Sequence, residues 1–175
     1  MRINHARRPR LGRASRLLAT LAVLAVPLGA VVTLTTAQPA AAATCSGTGC
    51  NNTDPYATGC GSGDYVVHSA ADRVYGGTLQ LWYGPNCGTN WTRYDSPNTI
   101  QHYIWVVQQI YYNHNYYYTS SDEFGFKYAG WTWSDQIYSP AFPADACEQE
   151  YYLATKSWGP VVCTGQFSMP GATNI

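Results

Sequence analysis

From Tyr65 onward, apolar and polar residues follow one another in twos. Thr78-Leu79-Gln80-Leu81-Trp82-Tyr83 alternates and puts Leu79, Leu81 and Tyr83 on one face, which is the period of a half-buried strand. Gly76-Gly77 ahead of it predicts a tight hairpin from a strand over 65–74. Gly84-Pro85-Asn86 predicts a turn behind it, and 90–94 opens the next strand. In the stretch 100–112, Ile100, Ile104 and Tyr111 could share a helical face. Yet it is rich in Ile, Val, Tyr and Trp and holds no Ala, Leu, Glu or Lys, so one long strand is expected. Asn113-His114-Asn115 then turns the chain, Tyr116-Tyr117-Tyr118 returns beside Tyr111-Tyr112, and 124–133 continues the strand pattern. No repeat and no strongly amphipathic helix interrupts this. The fold class expected is all-β, a small disulfide-stapled sandwich or barrel with a loop-rich N-terminal segment.

That front segment, 45–64, is Gly, Ser, Thr, Asn and Asp with almost nothing apolar, so packing alone cannot order it. Asn52-Thr53-Asp54-Pro55 suggests a capped turn opening one short helical turn. Before it, Arg2, Arg7, Arg8, Arg10, Arg13 and Arg16 precede an apolar run from Leu17 to Thr36 and a small-residue exit ending at Ala43. This is the layout of a cleaved signal peptide over 1–43, leaving one secreted domain over 44–175. An uncleaved anchor fits the Ala-rich exit less well. A lipoprotein would need other residues before Cys45, and Pro9-Arg10 spoils a twin-arginine signal. The leader also carries six of the ten basic residues and none of the ten acids. What remains has Arg73, Arg93, Lys127 and Lys156 against ten carboxylates, a formal charge of −6. No basic patch is left to neutralise phosphates, so neither nucleic acid nor, after cleavage, membrane is an expected partner.

All six cysteines, Cys45, Cys50, Cys60, Cys87, Cys147 and Cys163, follow the leader. An even count in an exported chain predicts three disulfides, and the paired short spacings of a zinc site are absent. Chain proximity ranks Cys147–Cys163 with Cys45–Cys50 and Cys60–Cys87 first. Cys45–Cys87 with Cys50–Cys60 stays open behind it.

Catalytic constellations are weak. His68, His102 and His114 lie far apart, and no nucleophile elbow, metal-protease helix or phosphate loop is present. His114 reads as a solvated turn residue and His102 as a buried, hydrogen-bonded one. Asp122-Glu123 and Glu148-x-Glu150 read as solvated surface charge, and Asn52, Asp54 and Asp64 lack calcium-loop spacing. No catalytic residue, cofactor or metal is assigned. The aromatic residues carry more. Trp131 and Trp133 share a strand face, to which Trp82 could add, and Tyr116, Tyr117 and Tyr118 crowd a hairpin. Flat exposed rings stack on sugars, whereas in a domain poor in Leu and Phe the economical place for them is the core.

The run Cys45-x4-Cys50-x3-Asp54-Pro55-x3-Gly59-Cys60, the stretch Leu79 to Arg93 around Tyr83-Gly84-Pro85-Asn86-Cys87-Gly88, and the tail Trp133 to Pro140 with Ala146-Cys147 and Cys163-Thr164 resemble a YjfA-like family of secreted bacterial proteins. That family is a domain of unknown function common in actinobacteria. The chain departs from its pattern at Trp82, where an arginine is usual. The resemblance implies secretion and the disulfide frame and brings no activity with it. The function expected is thus a non-catalytic extracellular binding domain for a cell-wall glycan, a protein or its own copies. Behind it stand a small hydrolase using His102 or His114 with a carboxylate, and a secreted inhibitor or toxin-like effector displaying the 113–115 loop.

Overall fold

The computed structural model describes residues 42–166 and 172–175; the expected leader over 1–43 therefore lies almost wholly outside the described residues. The described residues hold no α-helix; one 3₁₀ turn, Gly47–Cys50, precedes twelve strands. In one sheet, β1 (Tyr65–Ala71), β2 (Thr78–Gly84), β3 (Thr89–Ser96) and β7 (Gly130–Trp133) lie in that order, with β8 (Ile137–Tyr138) beside β3. In the other, β12 (Ala172–Asn174), β11 (Val161–Cys163), β9 (Ala144–Tyr152), β4 (Gln101–Tyr112) and β5 (Asn115–Ser120) are neighbours. There β6 (Phe124–Phe126) pairs with β4 and β10 (Ser157–Trp158) with β9. All pairings are antiparallel except β11 with β12.

The sheets close on each other through their alternating residues. Leu79, Leu81 and Tyr94 from the first meet Ile104, Val106, Phe126, Ala144 and Ala146 from the second, all buried. Thr92 Oγ1 crosses the gap to donate to the Trp105 carbonyl at 2.5 Å. The result is a disulfide-stapled β-sandwich. The bridges join Cys45–Cys50, Cys60–Cys87 and Cys147–Cys163. Cys147 and Cys163 sit directly opposite each other on β9 and β11. The sulfurs of Cys45, Cys50, Cys60 and Cys87 all lie within 4.8 Å of one another and form the small core of the polar front segment.

Two local expectations need correction. The β1–β2 connection is not a tight Gly-Gly hairpin: β1 stops at Ala71, which pairs with Thr78, and residues 72–77 form a longer loop. Asp72 builds it, its Oδ1 accepting from the Val74 and Tyr75 amides at 2.8 and 3.1 Å, and this drives Tyr75 inward. The stretch 124–133 is two strands in different sheets, β6 against β4 and β7 against β3, with Gly130 (φ +104) where β7 begins. As expected, Asp54 caps its turn, accepting from the Tyr56 and Ala57 amides at 2.7 and 3.0 Å, and the Thr58 amide closes one helical turn onto the Asp54 carbonyl at 3.1 Å. By contrast β4 runs unbroken over twelve residues. The Asn113-His114 turn behind it has both residues at positive φ, as a two-residue hairpin linked by a primed turn requires.

Candidate functional site

Residues facing away from the core on the first sheet make an aromatic face. With Leu79, Leu81, Tyr94 and Thr132 turned inward, alternation puts Gln80, Trp82, Trp91, Arg93, Trp131 and Trp133 outward. Register seats Arg93 opposite both Gln80 and Trp133. Its guanidinium carbon lies 4.4 Å from the Trp82 ring centre and 5.2 Å from that of Trp131, a cation between two indoles. Trp82 Nε1 is held by Gln80 Oε1 at 2.8 Å. Trp91 is fully buried beneath the front segment, whose Tyr56 ring meets Trp91 at 5.9 Å and Trp133 at 4.9 Å, both edge-on. Trp131 and Trp133 remain 41% and 37% exposed. The expectation that the tryptophans serve mainly as core therefore holds for Trp91 and Trp105 and fails for these two. Thr132 between them fills the inward position, so a two-residue period turns both indoles to the outer face of the sheet.

Beside Trp133 the sheet edge opens a cavity of about 130 Å³ lined by Asp54, Phe124, Tyr128, Thr132, Trp133 and Asp135. Trp133 Nε1 donates to Asp54 Oδ2 at 3.2 Å, and Tyr128 Oη to Thr132 Oγ1 at 2.6 Å. Burial first, then the charges of Asp54 and Asp122, hold the Asp135 carboxyl above its ordinary range.

Tyr116, Tyr117 and Tyr118 do not belong to this face. They lie on β5 at the margin of the other sheet, paired with Tyr111, Ile110 and Gln109, and are 60%, 50% and 38% exposed. With Tyr111 and Tyr112 they form a hairpin of exposed rings.

The histidine–carboxylate pair sought for a hydrolase exists but is sealed. His102 Nδ1 lies 3.4 Å from Glu148 Oε2, and His102 Nε2 lies 3.1 Å from Asn98 Oδ1 and 3.8 Å from Glu150 Oε1. Glu148 and Glu150 are not surface charges: β9 alternation carries them inward behind Ala144 and Ala146, Glu148 and His102 wholly buried and Glu150 nearly so. Tyr94 Oη, 3.3 Å from Asp72 Oδ2, closes the group. Desolvation, with Asp72 and then Glu150 adding charge, pushes Glu148 up to about 11, while desolvation lowers His102. Both are neutral at pH 7. Glu148 Oε1 is buried without a hydrogen-bond partner, a place where a protonated carboxyl costs less than a charged one, and the nearby Asp72 charge disfavours ionisation further. His102 and Glu148 are wholly buried and Asp72 and Glu150 each keep only 4% exposure, so the cluster holds its proton inside the sandwich rather than in a cleft. His114 sits exposed at the hairpin tip, with no carboxylate within 4.0 Å among the described residues.

Asn52, Asp54 and Asp64 do not converge on an ion. Asn52 Oδ1 accepts from the Asp122 amide, Asp54 caps its turn, and Asp64 accepts from Tyr56 Oη. Reading the sequence missed Arg93 and the Trp133 cavity. For Arg93 the signal was available in the alternation of β2 and β3, whereas the cavity joins residues from three separate stretches.

No family model, curated protein or solved structure matches the chain.

Proposed function

We propose that the protein is an exported, non-catalytic binding domain that holds a polysaccharide of the cell surface against the aromatic face of its first sheet. The observation that carries this reading is the exposure of Trp131 and Trp133 side by side, with Trp82 and Arg93 continuing the row. Side chains two apart on a strand stand roughly 7 Å apart, a spacing that lets successive sugar rings lie on successive indoles. Indole faces attract the polarised C–H groups of a pyranose, and Gln80 and Asp95 on the neighbouring strands supply polar groups at the rim. Three disulfides are typical of an oxidising, extracellular setting. Secretion itself rests on the leader, and the likeness to the YjfA-like family points the same way without adding a ligand.

The test is a pull-down on purified peptidoglycan and soluble cell-wall glycans. Wild-type protein is expected to sediment with one of them, and Trp131→Ala to weaken binding at least tenfold while near-ultraviolet circular dichroism stays unchanged. Equal binding by the variant would overturn the reading. The tyrosine hairpin favours a second one, the docking of a protein. Inhibition of a panel of secreted proteases, lost in Tyr117→Ser, would support it.

A further inference from the structure

The cavity at Trp133 combines two features that seldom serve the same purpose. Its walls include three aromatic side chains, Phe124, Tyr128 and Trp133, each partly exposed, and its remaining lining includes two carboxylates, Asp54 and Asp135. We propose that this cavity is a receptor for a quaternary or highly methylated ammonium group. The inference shares Trp133 with the polysaccharide reading and otherwise stands apart from it.

The size fits first. A cavity of about 150 Å³ accommodates benzene, and the 130 Å³ here suits the comparably compact head of tetramethylammonium. The chemistry fits next. A methylated ammonium carries a full charge but offers no N–H, so it cannot use hydrogen-bond acceptors and is recognised through aromatic faces. The acceptors present are largely committed: Asp54 Oδ1 takes two backbone amides and Oδ2 the Trp133 indole, and Thr132 Oγ1 takes the Tyr128 hydroxyl. What the carboxylates still offer is charge. No Lys, Arg or His among the described residues lies within 4.0 Å of Asp135 or Asp54, and no described donor satisfies the Asp135 carboxylate. Burial and the neighbouring Asp54 and Asp122 already make a negative charge on Asp135 costly, and a cation between the rings would relieve that cost.

The same features argue against two other guests. Calcium wants six to eight oxygen ligands, and the cavity supplies two carboxylates and two hydroxyls bonded to each other. A primary ammonium would find only the Asp135 carboxylate without a donor, and its other strongly hydrated N–H groups would face rings and acceptors already engaged. The overall formal charge of −6 beyond the leader draws any cation toward the surface without selecting among them.

The three rings are positioned by the fold rather than by one another. Trp133 is held by a T-shaped contact with the Tyr56 ring, 4.9 Å away, and by Asp54, which accepts its indole N–H. Tyr128 is pinned through its hydroxyl to Thr132 and packs on Phe126 at 5.2 Å. Phe124 arrives on β6 from the opposite sheet, stacked at 6.5 Å on Phe126. A cage assembled from both sheets in this way needs little rearrangement to receive its guest.

The experiment titrates tetramethylammonium chloride into the oxidised protein at constant ionic strength and follows the Trp133 indole N–H resonance. A saturable shift is expected, with at least tenfold weaker binding of 3,3-dimethylbutan-1-ol, the uncharged isostere. Tyr128→Ala and, as a variant that leaves the packing alone, Asp135→Asn are each expected to weaken binding at least fivefold. Choline and phosphatidylcholine vesicles, run as separate arms, assign the group to a soluble molecule or a lipid surface. The absence of a saturable shift, equal binding of the neutral alcohol, or undiminished binding by folded Asp135→Asn would overturn the proposal. Trp131→Ala separates it from the polysaccharide reading, since that variant is expected to lose glycan and keep tetramethylammonium.

Discussion

Replacing Cys60 and Cys87 together by serine is expected to cost the domain 2–5 kcal/mol, the range for removing a native bridge from a small secreted domain. The front segment explains why the loss should be large. Residues 45–64 supply almost no apolar side chain, and Cys50 and Cys60, both fully buried, are the centre of what packing they have. Hydrogen bonds assist: Gln136 Nε2 donates to Thr53 and Thr58 hydroxyls at 2.9 Å each, and the Tyr138 amide to Asn51 Oδ1 at 2.7 Å. Each of these competes with water and contributes only about 1 kcal/mol. The bridge instead closes a loop of 27 residues onto the turn between β2 and β3. Because the segment covers Trp91, its detachment should also red-shift tryptophan fluorescence before the sandwich melts. Urea unfolding followed by fluorescence and by far-ultraviolet circular dichroism checks both claims. A stability change below about 0.5 kcal/mol would mean that the hydrogen bonds alone suffice. The Cys147–Cys163 bridge closes a shorter loop between residues already paired in register, and its removal should cost less.

How much was readable in the sequence depended on whether the information was local. Strand period is local, so β2, β4 and the 113–114 turn emerged from spacing and propensity alone. The all-β class followed from strand periods and turn residues together, while the choice between sandwich and barrel depends on long-range pairing and stayed open. Loop conformations failed where one polar side chain commanded several backbone amides. Asp72 after Ala71 could as well have been a surface residue, and only the inserted Tyr75 shows that it organises a six-residue loop. Breaks between sheets failed too, because Lys127–Ala129 carries no Pro to mark the crossing from β6 to β7. The candidate site divides the same way. Trp131 and Trp133 shared a face by simple alternation, but whether that face met solvent or a second layer was a tertiary fact. Glu148 and Glu150 were misplaced for an opposite reason. A buried acid is rare enough that composition alone argues for the surface, and only a partner such as Asp72 or His102, distant in sequence, makes the interior tolerable.

That buried acid leads to the second large effect, a stability that falls as pH rises. Glu148 has an ordinary value of 4.5 and is held near 11 in the fold, chiefly by desolvation. Between those values the folded state keeps a proton that the unfolded chain releases. The unfolded state therefore binds fewer protons, and the stability associated with this group, complete below pH 4.5, is lost steadily through neutrality and beyond. The slope is on the order of 1 kcal/mol per pH unit. Glu150, raised by burial first, acts in the same direction over a narrower span. His102 opposes them only at the acid end: its value is lowered from 6.5, so the unfolded chain takes up a proton below 6.5 that the fold refuses. Asp72, Tyr75 and Tyr94 also face the cluster, and burial raises both tyrosines, which extends the loss into the alkaline range. The melting temperature should accordingly peak in mildly acidic solution and decline toward pH 9. Glu148→Gln keeps the shape of the protonated acid while removing the proton that must be retained. This variant is expected to match wild type near pH 5 and to exceed its stability by at least 2 kcal/mol at pH 8. Denaturant titrations of both proteins from pH 5 to 9 test this directly. Parallel curves would show that Glu148 ionises freely in the fold and that the sealed pair is not protonated at all.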